Sequence, residues 1–170
     1  MTREIKFRGK TVPDGRWVYG YYVVMENETK TVTRHAIMDL LDKENQYIKD
    51  GKSYHMSVSV VEAETVGQFI GLYDRNGKEI YEGDIVYSEF EDGSNGSSLV
   101  GWNEKQSCFG LMDEYAYRSK LEGFEYPAFI NHVMLAHMRD AKLFKVIGNI
   151  YDNPELLKDS SRYFNKRADY

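Results

Sequence analysis

Residues 64–86 read ETVGQFIGLYDRNGKEIYEGDIV and carry the strongest local structure signals of the chain. Asn76-Gly77 lies between two apolar segments, Phe69–Tyr73 and Ile80–Tyr87. An Asn-Gly pair supplies the positive φ angles that a tight hairpin turn requires. The pattern therefore predicts a β-hairpin whose turn is at residues 76–77.

Glycines mark further corners in the same stretch. Gly67 and Gly71 lie four residues apart around Phe69, which suits a strand that bends or lets another backbone approach. Glu82-Gly83 reads as a turn that leads into a buried strand. We expect Asp84 to brace this turn by accepting hydrogen bonds from backbone N–H groups.

Alternating side chains predict a strand at residues 3–8, where Ile5 and Phe7 are expected to face the core. Asp14-Gly15 predicts a tight turn into the next strand. That strand, residues 16–24, is apolar on both faces. A strand of this kind is covered on both sides or lies at a subunit contact, so the pattern favours a homo-oligomer.

Two further segments complete the strand prediction. Residues 54–61 alternate, and we expect Val58 and Val60 to share a face with Tyr54 and Met56, opposite the serines. Residues 34–42 fit a strand and a helix equally well.

Helix signals are few. Asn153 can cap a short C-terminal helix, and Pro154 has a φ angle suited to the first helical position. Residues 128–139 allow another short helix. We therefore predict a mainly β protein with an N-terminal β unit at residues 1–62 and a second β unit at residues 63–157. The tail, residues 158–170, shows no period and is expected to be mobile.

Composition limits the function classes. The formal net charge is −5 and the pI about 5.4, which argues against non-specific binding to nucleic acid or anionic membranes. Cys108 is the only cysteine, so an intrachain disulfide is excluded. Residues 1–4 lead directly into a segment in which charged and apolar residues alternate, and this segment lacks the apolar core of a signal peptide. No run of apolar residues is long enough to span a membrane. We expect a cytoplasmic protein.

Three stretches together resemble the YopX family of bacteriophage and prophage proteins. They are residues 3–21 (REIKFRGK and, further on, GRWVYGY), residues 64–86, and residues 146–157 (VIGNIYDNPELL). The resemblance implies a complex β fold with a barrel-like, SH3-like C-terminal part, and it carries no catalytic residues over. The chain departs from the family pattern at Ile70 and Ala63, where a Thr and a Pro are common. Residues 26–60 and 88–142 are the least similar to the family.

The sequence gives only weak support for a metal site or for a catalytic nucleophile. His132, His137 and Asp140 are spaced by five and three residues, unlike the i, i+4 histidine pair of a metalloprotease helix. Cys108 lies between strand-forming residues and is more typical of a small packed side chain than of a nucleophile. We predict no metal and no cofactor.

Four carboxylates in the hairpin region raise the question of acid–base chemistry. They are Asp74, Glu79, Glu82 and Asp84. A pair of carboxylates can serve as general acid and base, but around an Asn-Gly turn the simpler interpretation is a solvated turn. No glycine-rich loop precedes a helix with the Lys-Ser or Lys-Thr that phosphate binding needs. We therefore predict that the protein is not an enzyme.

A basic and aromatic N-terminal segment is the candidate for nucleic-acid binding, because single-strand binders combine cations with stacking platforms. Basic residues at positions 6 and 8 are expected on the solvent side of the first strand, where they would also protect its edge. The candidate contacts are Lys6, Arg8, Lys10, Arg16, Trp17 and Tyr19.

Two functional hypotheses follow from these patterns. The first is a non-enzymatic phage-type accessory protein that binds a host or phage protein. The alternative is a nucleic-acid-binding β-barrel that uses the basic N-terminal strand. The first is favoured because the chain combines a well-specified β scaffold and many aromatic residues with no assembled catalytic group.

Overall fold

The structure is a computed structural model and describes residues 4–39, 46–49, 52–55, 57–89, 95–104, 107–112, 117 and 143–157. The chain divides into two compact units, Met1–Phe69 and Ile70–Tyr170. The boundary predicted between residues 62 and 63 stays a prediction, and the tail at residues 158–170 lies outside the described residues.

Twelve strands are bounded within the described residues. They are β1 (Phe7–Lys10), β2 (Trp17–Glu26), β3 (Thr33–Asp39), β4 (Gln46–Lys49), β5 (Lys52–His55), β6 (Ser57–Val61), β7 (Gly67–Tyr73), β8 (Glu79–Tyr81), β9 (Asp84–Glu89), β10 (Asn95–Asn103), β11 (Cys108–Met112) and β12 (Phe144–Asn149). Two short 3-10 helices are present in the described part of the chain, at Ala63–Thr65 and Pro154–Leu157. The prediction of a mainly β protein is confirmed, and the predicted C-terminal helix is the second 3-10 helix.

The larger sheet has the strand order β6-β3-β2-β1-β7-β8, and its described pairs are antiparallel. The predicted Asp14-Gly15 turn joins β1 to β2, and Gly15 has a φ of 65°. The side-chain oxygen of Asp14 accepts a hydrogen bond from the Thr11 hydroxyl, so the turn is held by its own side chains. The ambiguous segment that begins at residue 34 forms strand β3.

The sheet of the first unit curls. The end of β1 hydrogen-bonds to β6, since Val12 N–H donates to the Val60 carbonyl over 3.1 Å and Glu62 N–H donates to the Lys10 carbonyl over 2.9 Å. The close approach of the two strands leaves no room for a side chain at Gly9, where an added Cβ would lie 3.0 Å from the Val61 side chain. Gly9 therefore sets how closely the two strands meet.

The second sheet has the order β11-β10-β9-β12 and is apolar on both faces. Because strand side chains alternate, the pairs Val100–Leu111 and Leu99–Met112 lie on opposite faces. One face packs Ile80, Val86, Val100, Leu111, Phe144 and Val146, and the other packs Ile85, Leu99, Met112 and Leu157. The described strands form an open sheet, so the barrel-like arrangement of this unit stays a prediction.

The hairpin predicted from Asn76-Gly77 is confirmed between β7 and β8, with Gly77 at a φ of 79°. The apolar segment that follows is not one strand, because Gly83 at a φ of 83° separates β8 from β9. The turn predicted at Glu82-Gly83 is thus confirmed. Within β7, Gly71 has a φ of 86°, which agrees with a strand that bends.

One prediction of a strand face is wrong. Ile5 was expected in the core and is 54% exposed, because it precedes the first residue of β1. Val58 and Val60 lie on one face of β6, opposite the serines, as the alternation predicted. Val58 is 50% exposed and pairs with Met38 near the end of β3, away from the meeting point at Val61. The helix predicted at residues 128–139 lies outside the described residues.

Candidate interaction surface

The register of the first sheet places the aromatic residues of β2 on one face. Cross-strand partners share a face, so Lys10 lies beside Trp17 and Arg8 beside Tyr19. Continuing the alternation into β3 and β6 places Tyr21, Met38 and Val58 in one row on that face. We call this side the aromatic face. Its described members are Lys6, Arg8, Lys10, Trp17, Tyr19, Tyr21, Val23, Met25, Arg34, Ala36, Met38, Val58, Val60, Gly67 and Phe69.

Three cations of this face lie against aromatic rings. The Arg8 guanidinium carbon is 4.7 Å from the centroid of the Trp17 ring, and the Lys10 ammonium is 5.9 Å from the same centroid. The Lys6 ammonium is 5.1 Å from the Phe69 centroid. A cation within about 6 Å of a ring centroid is attracted by the ring quadrupole. The basic residues at positions 6, 8 and 10 therefore have a role within the fold.

The predicted nucleic-acid contacts do not form one exposed group. Arg8 was expected to face solvent, but only 5% of it is exposed, because its guanidinium is stacked on the Trp17 ring. Arg16 lies in the turn before β2, and its Nε is 3.4 Å from the Asp14 carboxylate. Tyr19 is 47% exposed and is the most accessible aromatic residue of the predicted set.

The exposed part of the aromatic face is mainly apolar. Tyr19 and Tyr21 are 47% and 50% exposed and stand about 7 Å apart along the strand. Val58 is 50% exposed at the end of the row that includes half-buried Met38. A contiguous exposed apolar patch of this kind is typical of an interaction site. Sequence reasoning missed Val58, since only the pairing of β3 with β6 reveals its face.

Charges are segregated between the two faces of this sheet. The aromatic face carries the basic residues Lys6, Arg8, Lys10 and Arg34, and none of its described members is acidic. The strand residues of the opposite face include Glu26 and Asp39. The Lys6 ammonium is 3.3 Å from the Glu4 carboxylate, so the excess positive charge of the aromatic face comes from Arg8, Lys10 and Arg34, in a chain whose formal net charge is −5.

The opposite face holds a short aromatic row. The rings of Phe7 and Tyr22 are 5.5 Å apart, and the Tyr22 ring is stacked on His35 at 5.9 Å. The Tyr22 hydroxyl is also hydrogen-bonded to Nδ1 of His35. These contacts tie β1, β2 and β3 together across the sheet.

The hairpin carboxylates hold the backbone. Asp84 is 1% exposed, and its carboxylate accepts the Tyr81 N–H over 2.8 Å, as the sequence predicted for this turn. Asp74 accepts the N–H groups of Asn76, Lys78 and Val146 over 2.7, 2.9 and 3.0 Å. The interpretation of a solvated turn is wrong for Asp74, which is buried, whereas for Asp84 the alternative interpretation, a carboxylate that braces its turn, is confirmed.

The hydrogen bonds to Asp74 determine its ionisation. Burial acts to raise the pKa of this carboxyl, but the N–H groups of Val146, Lys78 and Asn76 together outweigh burial and hold the pKa below its ordinary value. The carboxylate is therefore the stable form at neutral pH. The Glu79 carboxylate accepts a hydrogen bond from the Tyr81 hydroxyl over 2.7 Å.

The other chemical candidates fall in separate places. Cys108 is half-buried in β11 opposite Asn103. His132, His137 and Asp140 lie outside the described residues. In the part of the chain that the structure describes, no group of three or more His, Cys, Asp or Glu side chains is placed to hold a metal ion. No helix within that part is long and apolar enough to cross a bilayer.

Comparison with known proteins identifies the family. A search of curated proteins finds no match. Among solved structures, the crystal structure of protein EF1440 from Enterococcus faecalis is similar, with a TM-score of 0.49 and 18% identity over 92% of this chain and 99% of that chain. The family model described as YopX protein matches residues 6–158, which is most of the chain. The chain therefore belongs to the YopX family, as the ordered motifs of its sequence predicted.

Proposed function

We propose that the chain is a non-enzymatic phage-type accessory protein that acts in the cytoplasm and binds a partner protein through its aromatic face. The observation that carries the proposal is the row formed by Tyr21, Met38 and Val58, together with Tyr19 beside it. Tyrosine is enriched at protein interfaces because its ring offers a large apolar surface with few rotamers to restrict.

The chemistry of the aromatic face also indicates which kind of partner surface would fit it. The exposed centre is apolar, and exposed Arg34 lies on the same face at its border. An apolar centre with a charged rim is the ordinary anatomy of a protein interface. We therefore expect a partner surface with an apolar centre and an acidic border, which would make association faster at low salt.

Nucleic-acid binding is the weaker alternative. A single-strand binder needs accessible cations beside its stacking rings. Arg8 is buried against Trp17, and Arg16 is paired with Asp14. What remains accessible on the aromatic face is richer in apolar groups than in cations.

Site-specific photo-crosslinking tests the proposal. A benzoylphenylalanine at position 58 should give a discrete adduct with a second protein in cells of the source organism. The matched control is the same residue at position 5, since Ile5 is 54% exposed, close to the 50% of Val58, and alternates with Lys6 onto the side opposite to the aromatic face. Adducts from both positions alike, or from neither, would contradict the proposal.

A binding measurement separates the two hypotheses. Fluorescence anisotropy of a labelled single-stranded oligonucleotide at low salt should show no change with the wild-type protein. Salt-sensitive binding that is lost in Lys6→Glu would support the nucleic-acid alternative instead.

A further inference from the structure

The turn between β7 and β8 contains two neighbouring residues that can react with each other. In an Asn-Gly pair, the glycine backbone nitrogen can attack the asparagine side-chain amide, because glycine has no side chain to obstruct the approach. Asn76 and Gly77 are both exposed, and a Cβ added at Gly77 would meet nothing within 4 Å. Water therefore reaches the reacting atoms.

The reaction is a deamidation whose only co-reactant is water. The Gly77 nitrogen loses its proton and forms a bond to the side-chain carbonyl carbon of Asn76. The bond from that carbon to the side-chain nitrogen breaks, so that ammonia leaves and a cyclic imide remains. Water then adds to either carbonyl carbon of the imide and breaks its bond to nitrogen, which gives aspartate or isoaspartate at position 76.

The folded turn opposes the attack at the nitrogen itself. The Gly77 N–H donates to the Asp74 carbonyl over 2.9 Å. For the attack, the nitrogen must release this proton and turn toward the Asn76 side chain, which breaks the hydrogen bond. The reaction therefore proceeds from an opened form of the turn, and its rate follows the population of that form.

Both neighbours of Gly77 are held by the Asp74 carboxylate. Its Oδ1 atom accepts the N–H groups of Asn76 and Lys78 over 2.7 and 2.9 Å. The Asp74 N–H donates in turn to the Lys78 carbonyl over 2.7 Å. Asp74 is buried, so these bonds are shielded from water and are costly to break.

We propose that Asn76-Gly77 is a site of spontaneous deamidation and that Asp74 is the positioning residue that keeps this reaction slow in the folded protein. Isoaspartate adds one carbon to the main chain of the turn and so changes the spacing of the N–H groups that Asp74 accepts. Deamidation therefore loosens the hairpin at the carboxylate that also accepts the Val146 N–H of β12.

Two substitutions separate the bonds of Asp74 to the turn from its bond to β12. In Asp74→Asn, the side-chain oxygen still accepts the N–H groups of Asn76 and Lys78, whereas the NH₂ group only donates and cannot accept the Val146 N–H. Asp74→Ala loses all three bonds. Both variants lack the bond to β12, so a difference between them at position 76 reports the turn bonds.

Peptide mapping by mass spectrometry of the full chain, incubated near pH 7, measures aspartate and isoaspartate at position 76. Asp74→Ala should deamidate there at least about fivefold faster than wild type, the smallest effect expected from the loss of two hydrogen bonds. Asp74→Asn should stay within about twofold of wild type. The internal reference is Asn95-Gly96, which begins β10 and pairs with β9, and its rate should change by less than about twofold in either variant.

Equal rates at position 76 in all three proteins, or a rate in Asp74→Asn as high as in Asp74→Ala, would overturn the proposal. An equal rise at positions 76 and 95 would also overturn it, because that result means general unfolding. If Asp74→Ala does not fold, as judged by thermal unfolding, wild type in urea takes its place. Position 76 should then react at least about fivefold faster in urea than in buffer, and equal rates would contradict protection by the turn.

Discussion

The Asp74 carboxylate accepts the backbone N–H of Val146 over 3.0 Å, although the two residues are 72 positions apart. The same carboxylate closes the β7–β8 turn through Asn76 and Lys78. One side chain thus joins the hairpin to strand β12, whose Val146 packs in one of the apolar clusters of the second sheet. The carboxylates of Asp74 and Asp84 therefore hold backbone N–H groups of the fold.

Replacing Asp74 should destabilise the protein. Asp74→Ala leaves the buried Val146 N–H without its acceptor and removes two turn bonds, and an unsatisfied buried donor costs about 1–3 kcal/mol. We expect a loss of about 3 kcal/mol in the free energy of unfolding, measured by urea titration. Glu28→Gln, at an exposed position in the turn after β2, is the control and should change stability by less than about 0.5 kcal/mol. An equal effect of both substitutions would contradict this role of Asp74.

Stability should depend on pH through the same residue. The pKa of Asp74 is lowered in the folded protein, so the unfolded chain binds more protons as pH falls below about 4. The contribution of Asp74 is therefore present above that pH and is lost as pH falls through the folded-state pKa. The difference in thermal unfolding between wild type and Asp74→Asn should be largest near pH 7 and should shrink as pH falls below about 4. A difference that stays constant across this range would argue against the assignment.

Two turn glycines form a matched pair for a steric test. Gly83 and Gly77 have φ angles of 83° and 79°, but an added Cβ lies 3.0 Å from the Tyr151 ring at Gly83 and meets nothing within 4 Å at Gly77. Gly77→Ala should cost about 1 kcal/mol from the left-handed backbone alone. Gly83→Ala should cost about 1 kcal/mol more, because the ring must move. Equal losses in chemical denaturation would show that the Tyr151 contact is unimportant.

Two arginines of the predicted nucleic-acid set should behave differently. Arg8→Ala removes a buried guanidinium stacked on Trp17 and should destabilise the fold by about 2 kcal/mol. Arg16→Ala removes an exposed charge and should change stability by less than about 0.5 kcal/mol. Tryptophan fluorescence during urea unfolding measures both. Similar small changes in the two variants would mean that the Arg8–Trp17 contact contributes little.

Local signals were enough to predict three of the turns. Asp14-Gly15, Asn76-Gly77 and Glu82-Gly83 each specify their own backbone geometry within a few residues, and the structure has a turn at each. Asp84 was expected to brace its turn for the same reason, and it accepts the Tyr81 N–H. Short-range chemistry of this kind does not depend on the rest of the fold.

Long-range relationships could not be predicted from the sequence. The burial of Arg8 depends on its pairing with β2, and the exposure of Val58 depends on the register of β6 against β3. The first sheet curls so that β1 meets β6 at Val61, and the only nearby sequence feature that indicates this contact is Gly9. The alternation of residues therefore identified strands and left their exposed faces undetermined.

The candidate surface was found only in part. Tyr19 was named from the sequence, but as a nucleic-acid contact, and its neighbours Tyr21 and Val58 join it on the aromatic face through strand pairing. The hypothesis of a protein partner rested on surplus aromatic residues. The structure adds their common face and their exposure.

Crosslinking from position 58 in the wild type and in Tyr21→Ser tests the account most directly. Tyr21 is half exposed, so Tyr21→Ser should reduce stability by less than about 1 kcal/mol. If the aromatic face binds a partner protein, the adduct should fall at least about tenfold, in line with the loss of a central aromatic contact. Undiminished crosslinking in the folded variant would contradict the account.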